Sequence, residues 1–258
     1  MNISFEKKIT FFENHLNNDE IPTIFIHGIG LDNSMWDPQK LYFKNKNVIF
    51  YDLLNHGKSK KGFRKLKFED FNNQLIKLIK LLNIKKFNLI GFSLGALIAQ
   101  HFTQKYYNII NKLIIIASVH DRNKVEKEKV EKRFKNCLEG QSIINNSINR
   151  WFNQDYLINN PLIYKFFFNI LAKNKKEDFL AAYKLFVESD NCKLNFSNFK
   201  MPTLIMTGEN DIGSTPKMSE KLNHLICNSK IYIIPKSKHM GIFEKNDLVN
   251  QEISKFLY

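Results

Sequence analysis

The stretch Gly91-Phe92-Ser93-Leu94-Gly95 follows the apolar run Phe87–Ile90 and leads into the helix-like segment Ala96–Tyr106. A Gly-x-Ser-x-Gly pattern therefore stands where a strand is expected to turn sharply into a helix. At such a turn the serine adopts a strained backbone conformation, and glycine is needed on both sides because a Cβ would collide with the neighbouring strand and helix. The five residues alone are a weak signal, so the interpretation depends on their strand-turn-helix context. Ser93 is the candidate nucleophile.

Strand-like and helix-like segments alternate on both sides of this turn. Short apolar runs predict strands at Thr23–Ile26, Val48–Tyr51, Phe87–Ile90, Leu113–Ala117, Thr203–Met206 and Ile231–Ile234, with an opening strand or hairpin over Ile3–Phe12. Helical patterns are predicted over Phe68–Leu82 and near Pro216–Ile226 and Asp247–Leu257. This rhythm predicts crossover connections and a mostly parallel, twisted sheet flanked by helices, which is an α/β fold.

The β-rich runs stop between about His120 and about Phe199. Helical segments are predicted there near Asn123–Leu138, Ser142–Phe152, Leu162–Lys173 and Glu177–Glu188. We therefore expect residues 1–119 and 200–258 to form one core domain, with residues 120–199 inserted as an all-helical cap before the last two strands. Because of their position, these helices are expected to cover the catalytic edge of the sheet and to select the substrate.

Length and composition limit the class of protein. With 258 residues the chain can bury a core without metals or disulfides. Its apolar runs are of strand length, and charged residues at positions 6–8 interrupt the stretch where a signal peptide would have its apolar core. Cys137, Cys192 and Cys227 stand far apart, which predicts reduced thiols and no zinc site. We expect a cytoplasmic protein with no metal and no organic cofactor; its oligomeric state cannot be read from the sequence.

The net charge of +14 raises the alternative of a nucleic-acid or anionic-membrane partner. The lysines are scattered along the chain, however, and the densest run, Lys124–Lys135, alternates lysine with glutamate at helical spacing. This pattern is typical of a solvated basic surface. The partner that we expect is a small-molecule substrate, with no nucleic acid and no membrane.

Acyl chemistry at a serine needs a histidine to accept its proton and a carboxylate to fix the tautomer of that histidine. Asp211 and His239 each follow a predicted strand, and the carboxyl ends of parallel strands meet at one edge of the sheet. Each has an alternative interpretation, Asp211 as a turn stabiliser or helix cap and His239 as an ordinary loop histidine. The chain order Ser93, Asp211, His239 favours a catalytic triad.

The developing oxyanion requires rigid backbone donors. The N–H of Leu94, next to the nucleophile, is one candidate, and the N–H of Ile29 in the loop His27-Gly28-Ile29-Gly30 is the other. The alternative interpretation of this loop is an ordinary tight turn. His27 and His56 match no triad position and are interpreted as structural.

Together these segments resemble the α/β-hydrolase superfamily from about Thr23 to the C-terminus. The matching segments are His27–Gly30 with its oxyanion loop, Asp52–Ser59 with its D-x-x-x-H-G-x-S turn, Gly91–Gly95 with its nucleophile elbow, and Gly208–Pro216 and His239 with its acid and base. Within the superfamily, Ser34–Gln39, Arg150–Phe152 and Phe179–Tyr183 are similar to the 3-oxoadipate enol-lactonase and carboxylesterase group.

The inserted helices carry candidates for substrate contact. Trp151 is expected to line an apolar acyl pocket, and Arg150 beside it to pair with a substrate carboxylate, as an enol-lactone acid would require. The alternative for Arg150 is a surface salt bridge. Further aromatic candidates for the pocket are Phe152, Phe166, Phe167, Phe168, Tyr183 and Phe186, for each of which a place in the core is the alternative.

The predicted function is hydrolysis of a small carboxylic ester or lactone through an acyl-enzyme at Ser93, including a 3-oxoadipate enol-lactonase-like activity. Two alternatives keep the fold. One uses the same groups as an acyltransferase, a carbon–carbon bond hydrolase or a perhydrolase, and the other is a non-enzymatic small-molecule receptor on a hydrolase scaffold.

Overall fold

The computed structural model describes residues 10–16 and 20–258. Within these ranges the chain forms a seven-stranded sheet in the order β1-β3-β2-β4-β5-β6-β7, in which only β1 and β3 pair antiparallel. The strands are β1 Phe12–His15, β2 Thr23–Ile26, β3 Val48–Tyr51, β4 Phe87–Phe92, β5 Ile110–Ile116, β6 Thr203–Gly208 and β7 Ser229–Ile234. The predicted mainly parallel sheet is confirmed. The prediction for Ile3–Phe12 lies, except for residues 10–12, outside the described residues.

Helices pack on both faces of the sheet. In the described residues they are α1 Asp37–Tyr42, α2 Phe68–Leu81, α3 Leu94–Tyr106, α4 Lys124–Leu138, α5 Ile144–Trp151, α6 Gln154–Asn159, α7 Pro161–Ala172, α8 Lys176–Val187, α9 Pro216–Leu225, α10 Gly241–Glu244 and α11 Asn246–Leu257. Alternate residues of a strand point to opposite faces. Ile24 and Ile26 accordingly belong to an apolar cluster with residues of α2, α3 and α9. Phe25 belongs to a second cluster, where it contacts the rings of Trp36 and Phe43 on either side of α1 and which includes residues of α11.

The strand register aligns the carboxyl ends of the central strands. Gly91 of β4 lies opposite Ile26 of β2 and Ile115 of β5, and Gly208 of β6 lies opposite Ile234 of β7. The loops that follow β2, β4, β6 and β7 therefore leave the sheet at one edge. The triad candidates Ser93, Asp211 and His239 lie on these loops and meet at this edge.

Residues 120–199, here called the helical insertion, contain α4 to α8 and two short 3-10 turns, with no strand. The sequence predicted four helices, and the structure adds α6. This helix has six residues, between an extended Phe152 (φ −115°, ψ 153°) and a non-helical Asn160 before Pro161. A helix of fewer than two turns shows no clear apolar periodicity, and α1 was missed for the same reason.

None of the helices in residues 10–16 and 20–258 is both long enough and apolar enough to cross a lipid bilayer.

Candidate active site

Ser93 occupies the sharp turn between β4 and α3 with φ +55° and ψ −114°. Its N–H donates to the carbonyl of Ile116 in β5 at 2.9 Å, and its own carbonyl accepts from the N–H groups of Ala96 and Leu97 at 3.0 and 3.2 Å. A positive φ is uncommon for a residue other than glycine and persists only where the surroundings fix it. Here β5 and the first turn of α3 hold the strained residue, and Ser93 lines a cavity at the edge of the sheet.

The glycines on either side of Ser93 permit this turn. A Cβ on Gly91 would lie 2.2 Å from the carbonyl oxygen of Gly95, and a Cβ on Gly95 would lie 2.3 Å from that of Ile26 in β2. Both distances are far shorter than van der Waals contact, and both partners are backbone atoms. The helix can therefore start directly above the sheet only if both positions are glycine, as the sequence predicts.

The structure brings the side chains of Ser93, Asp211 and His239 together. His239 Nε2 lies 3.2 Å from Ser93 Oγ, and His239 Nδ1 lies 2.6 Å from Asp211 Oδ2. The other carboxylate oxygen, Asp211 Oδ1, accepts from the N–H groups of Gly213 and Ser214 at 2.8 and 3.0 Å. Because Asp211 is a pure acceptor, the proton of the neutral imidazole is assigned to Nδ1, which leaves the Nε2 lone pair facing the serine hydroxyl.

Asp211 does not cap the helix that follows it. The cap of α9 is Thr215, whose hydroxyl accepts from the N–H of Met218. Asp211 does stabilise its own turn, through its hydrogen bonds with the N–H groups of Gly213 and Ser214. The alternative role as a turn stabiliser is therefore compatible with the contact to His239. Since the turn fixes one carboxylate oxygen, the second is held in position for the imidazole.

The loops that carry Asp211 and His239 are locked to each other. The N–H of Asn210 donates to the carbonyl of Ser237 at 2.8 Å. Gly208 permits this approach, because a Cβ there would lie 2.1 Å from the carbonyl oxygen of Lys238. Two adjacent parallel strands therefore set the distance between the carboxylate and the imidazole.

The loop after β2 passes directly beside the serine. A Cβ on Gly28 would lie 3.0 Å from the Phe92 ring and 3.3 Å from Ser93 Cβ, so the backbone approaches closely. Ile29 lines the cavity, whereas Leu94 is buried beneath it at the first position of α3. Backbone N–H groups at the first turn of a helix have no partner within that helix, so the N–H of Leu94 is available for another acceptor.

His27 anchors this loop from below. Its Nδ1 lies 2.8 Å from the carbonyl of Gly28, and its Nε2 accepts from the N–H of Leu53 at 3.0 Å. His56 packs its ring 5.3 Å from the His27 ring, with Nδ1 2.8 Å from the carbonyl of Leu54. Burial, above all, lowers the pKa of His27 to about 4 and that of His56 to about 3. Both histidines have the structural environment that the sequence predicted.

The site opens into a cavity of about 400 Å³ between the sheet edge and the helical insertion. Of the aromatic candidates, Trp151, Tyr183 and Phe186 line it. Phe152 and Phe167 instead pack with Phe243 in the core, together with the half-buried Phe166, which is the alternative that the sequence left open for them; Phe168 is exposed. Phe152 follows the last residue of α5 and the other three lie on α7, and none of the four lines the cavity.

Trp151 and Arg150 both reach the cavity. The ring of Trp151 lies 6.2 Å from that of His239, and its carbonyl accepts from the N–H of Met240 at 2.9 Å. Two further side chains of the cavity wall, Arg133 of α4 and Phe179 of α8, were missed by the sequence reasoning. Arg133 lies in the charged run that was interpreted as a solvated face.

The described residues contain no cluster of three or more histidine, cysteine or carboxylate side chains arranged to hold a metal ion. The three cysteines are free thiols; Cys137 is buried at the cavity wall, and Cys192 and Cys227 are exposed.

A mostly parallel sheet of this strand order, with a serine on the strand-to-helix turn at its carboxyl edge, defines an α/β protein with hydrolase architecture. Residues 22–246 match the model of the alpha/beta hydrolase fold family, and the chain belongs to that family.

Relatives with assigned activities match nearly the whole chain. An (E)-2-((N-methylformamido)methylene)succinate hydrolase of Acinetobacter baylyi is 27% identical over 240 residues, which cover 92% of this chain and 90% of the relative. A 3-oxoadipate enol-lactonase 2 of the same organism is 22% identical over 236 residues, covering 91% and 88%. The solved structure of a thermophilic esterase from Thermogutta terrifontis superposes with a TM-score of 0.85 at 24% identity. The superposition covers 96% of this chain and 92% of the esterase chain.

Proposed function

We propose that this protein is a serine hydrolase that cleaves a small carboxylic ester or lactone through an acyl-enzyme at Ser93. The observation that carries the proposal is the hydrogen-bonded series Ser93 Oγ, His239 Nε2, His239 Nδ1 and Asp211 Oδ2, with distances of 3.2 and 2.6 Å. A serine hydroxyl becomes a useful nucleophile only when a base accepts its proton. A relative named as an enol-lactonase acts on a lactone, which is an internal ester, and this supports the proposed bond class.

The residues have separate roles in the proposed reaction. Ser93 Oγ attacks the carbonyl carbon as its proton passes to His239 Nε2, and the Asp211 carboxylate stabilises the imidazolium. The N–H groups of Ile29 and Leu94 donate to the oxyanion. His239 then gives its proton to the leaving alcohol, or to the ring oxygen of a lactone, which completes the acyl-enzyme. A water molecule, deprotonated by His239, hydrolyses this intermediate and restores Ser93.

We propose that the helical insertion acts as the cap of this site, over a core formed by residues 1–119 and 200–258. Its contribution to the cavity wall, including Trp151 and Tyr183, supports this role. The wall formed by the core contains the reacting groups, and the wall formed by the insertion contains apolar and basic side chains. The insertion is therefore placed to select the acyl part of a substrate, and we assign Trp151 and Arg150 to substrate binding.

The first experiment labels and then removes the nucleophile. A fluorophosphonate probe should modify Ser93, and Ser93→Ala should lower the turnover of 4-nitrophenyl esters by on the order of 10⁶, the loss known for triad serines. Ser197→Ala, which changes an exposed serine in a 3-10 turn, is the matched control and should leave turnover intact. Unchanged ester turnover in Ser93→Ala would contradict the proposal.

A second measurement separates hydrolysis from acyl transfer. The products of simple esters and lactones are analysed in water alone and with a competing alcohol. We expect the free acid to dominate in both cases. Ester exchange as the dominant product would assign the same acyl-enzyme to a transferase.

A further inference from the structure

Asn153 stands at the N-terminus of α6 but does not cap that helix. Asparagine is among the residues preferred at this position, because its side-chain oxygen can accept an N–H of the first turn. Asn123 makes such a bond at the start of α4, accepting from the N–H of Glu126 at 3.0 Å. The Asn153 side chain makes no capping bond within the described residues; its Nδ2 instead donates to the carbonyl of Lys236 at 2.8 Å. Asn153 thus joins the helical insertion to the loop that follows β7.

The backbone N–H of Asn153 is bonded to the same part of the core. Because Phe152 is extended, this N–H leaves the hydrogen-bond pattern of α5, and it donates to Glu244 Oε1 at 3.0 Å. Glu244 is the last residue of α10, and 9% of its surface is exposed. Burial, above all, raises the pKa of its carboxyl, and the N–H groups of Asn153 and Lys238 partly offset this rise. A buried carboxyl is costly unless donors contact it, and Asn153 supplies one.

The two hydrogen-bond partners of this asparagine lie on either side of His239 in the sequence. Lys236 precedes the histidine by three residues and Glu244 follows it by five. Between them, the N–H of Met240 donates to the last carbonyl of α5 at 2.9 Å. Residues 236–244, here called the histidine segment, are therefore attached to the insertion before, directly after and beyond the triad candidate.

Lys236 is a strained residue that the core and the insertion hold together. Its φ is +50°, in the left-handed region that residues other than glycine seldom adopt. Such a conformation persists only where the surroundings fix it. On the core side, the N–H of Lys236 donates to Glu209 Oε2 at 2.8 Å, and on the insertion side its carbonyl accepts from Asn153. Without the Asn153 amide one of these two restraints is lost, and the backbone three residues before His239 can relax.

The imidazole of His239 contacts both the core and the insertion. Its ring centre lies 5.0 Å from that of Phe92 in β4 and 6.2 Å from that of Trp151 in the insertion. It also contacts Ser93 and Asp211 at the same time, and a base must stay within hydrogen-bond reach of the hydroxyl whose proton it accepts. A misplacement of about 1 Å in such a site can lower the rate by a factor of about 100. The supports of the histidine segment therefore bear on the rate of the proposed reaction.

We propose that Asn153 and Glu244 are positioning residues that fasten the histidine segment to the helical insertion and so hold the His239 imidazole in contact with Ser93 and Asp211. This inference rests on the proposed function. The insertion then has two roles, since it both contributes to the cavity wall and supports the base. Neither Asn153 nor Glu244 lines the cavity, so they act through the position of His239 and not by contact with a substrate.

The first test removes the amide of Asn153 and keeps a residue that can cap α6. Serine is about as good an N-cap as asparagine, but it has no amide to donate to the carbonyl of Lys236. We expect Asn153→Ser to lower kcat for 4-nitrophenyl butanoate about 10- to 100-fold, with KM changed less than about threefold. Asn159→Ser, at an exposed position of the same helix, is the matched control and should leave kcat unchanged. All variants are assayed well below their own melting temperatures, so that a loss of stability alone does not lower kcat.

The second test changes the acceptor on the core side. Glu244→Leu removes both carboxyl oxygens but keeps a side chain of similar size in the buried position, and it should lower kcat by a comparable factor. Glu244→Gln retains an oxygen that can accept from the Asn153 N–H, and it should recover most of that loss. The rate at which a fluorophosphonate labels Ser93 should fall in parallel with kcat, because the probe requires the same base. Parent-like kcat in both Asn153→Ser and Glu244→Leu would overturn the inference.

A spectroscopic measurement makes the test independent of turnover. The Nδ1 proton of His239, held against Asp211 Oδ2 at 2.6 Å, should give a proton resonance far downfield that is absent from His239→Gln. We expect this resonance to broaden or disappear in Asn153→Ser and to persist in Asn159→Ser. An unchanged resonance in both Asn153→Ser and Glu244→Leu would overturn the inference and leave the hydrolase assignment standing. Loss of the resonance in those two variants, in a protein that hydrolyses no ester, would support the positioning role and count against the proposed function.

Discussion

Acidification should destabilise the fold through His27 and His56, which are buried together beneath the loop that carries Ile29. Each is held neutral in the folded state, with a pKa of about 4 for His27 and about 3 for His56. The hydrogen bonds of His27 give an independent reason. Its Nε2 accepts from the N–H of Leu53, so protonation there would place two donors face to face.

The sign of the effect follows from proton binding. In the unfolded chain both histidines titrate near about 6.5, so below this pH the unfolded state binds more protons than the folded state. The contribution of the neutral histidines to the free energy of unfolding is therefore fully present above the pKa of the unfolded chain. It falls as the pH drops below that pKa, and it stops falling once the folded histidines themselves take up protons, near about 4 for His27 and about 3 for His56. The relevant window runs from about pH 6.5 to about pH 4 for His27 and to about pH 3 for His56.

The magnitude at about pH 5 depends little on the exact folded pKa, provided that it lies well below 5. Each histidine then contributes a loss of about 2 kcal/mol between about pH 7.5 and about pH 5, because a shift of one unit corresponds to about 1.4 kcal/mol. The pair should therefore lower the free energy of unfolding by about 4 kcal/mol. Asp52 works in the opposite direction, since burial raises its pKa, so the net loss alone does not isolate the histidines.

A double difference isolates one histidine. His56→Asn keeps a side-chain N–H that can donate to the carbonyl of Leu54, as Nδ1 of His56 is placed to do. Urea unfolding, followed by circular dichroism at both pH values, should show an acid-induced loss about 2 kcal/mol smaller in the variant than in the parent protein. His224→Asn, at an exposed position, should leave the loss unchanged. Equal losses in His56→Asn and the parent would refute the reasoning.

Three further substitutions test other parts of the structure. Gly208→Ala places a Cβ 2.1 Å from a backbone carbonyl in the loop before His239 and should reduce kcat/KM at least about tenfold in an ester assay; full activity would contradict the packing argument. Asp211→Asn should lower kcat by on the order of 10⁴ with little change in melting temperature, as in the serine-protease template; a smaller effect than tenfold would remove Asp211 from the proposed triad. Asp190→Ala leaves the buried Arg122 without its carboxylate and should cost about 3 to 5 kcal/mol in urea unfolding, whereas a loss below about 1 kcal/mol would mean that water compensates the charge.

The sheet and its loops were predictable because their signals are local. Short β-rich runs separated by helical patterns specify parallel crossovers, and in a parallel sheet every strand delivers its loop to the same edge. Residues as distant in sequence as Ser93 and His239 could thus be placed together without knowledge of any contact between them. The boundaries were less accurate: β4 and β6 each extend two residues beyond their predicted ends, into the glycine-containing turns. A glycine interrupts the β-rich sequence pattern from which a strand is predicted, but its backbone can still pair with a neighbouring strand.

The cavity wall was predicted less well because it depends on how helices are rotated against one another. Arg133 lies in a run of lysines and glutamates that resembles a solvated face, but α4 buries Val130 and Cys137. Positions 130, 133 and 137 share one side of a helix. That spacing was a signal for Arg133, although it was outweighed by the surrounding charges. For Phe152 and Phe167, aromatic character alone could not distinguish the core from the cavity.

The sheet and the nucleophile turn were predictable and the cavity wall was not, because different parts of the fold position them. The strained Ser93 is held by hydrogen bonds to β5 and to the first turn of α3, and Gly91 and Gly95 allow the elements to approach. Strain of this kind requires a rigid scaffold, so the nucleophile's surroundings have a strict local sequence pattern. Side chains that select a substrate need only reach the cavity from a helix, and many residue types at many positions can do so. The proposed chemistry therefore leaves a signal in short sequence motifs, whereas the residues of the cavity wall can be identified only once the packing of the inserted helices is known.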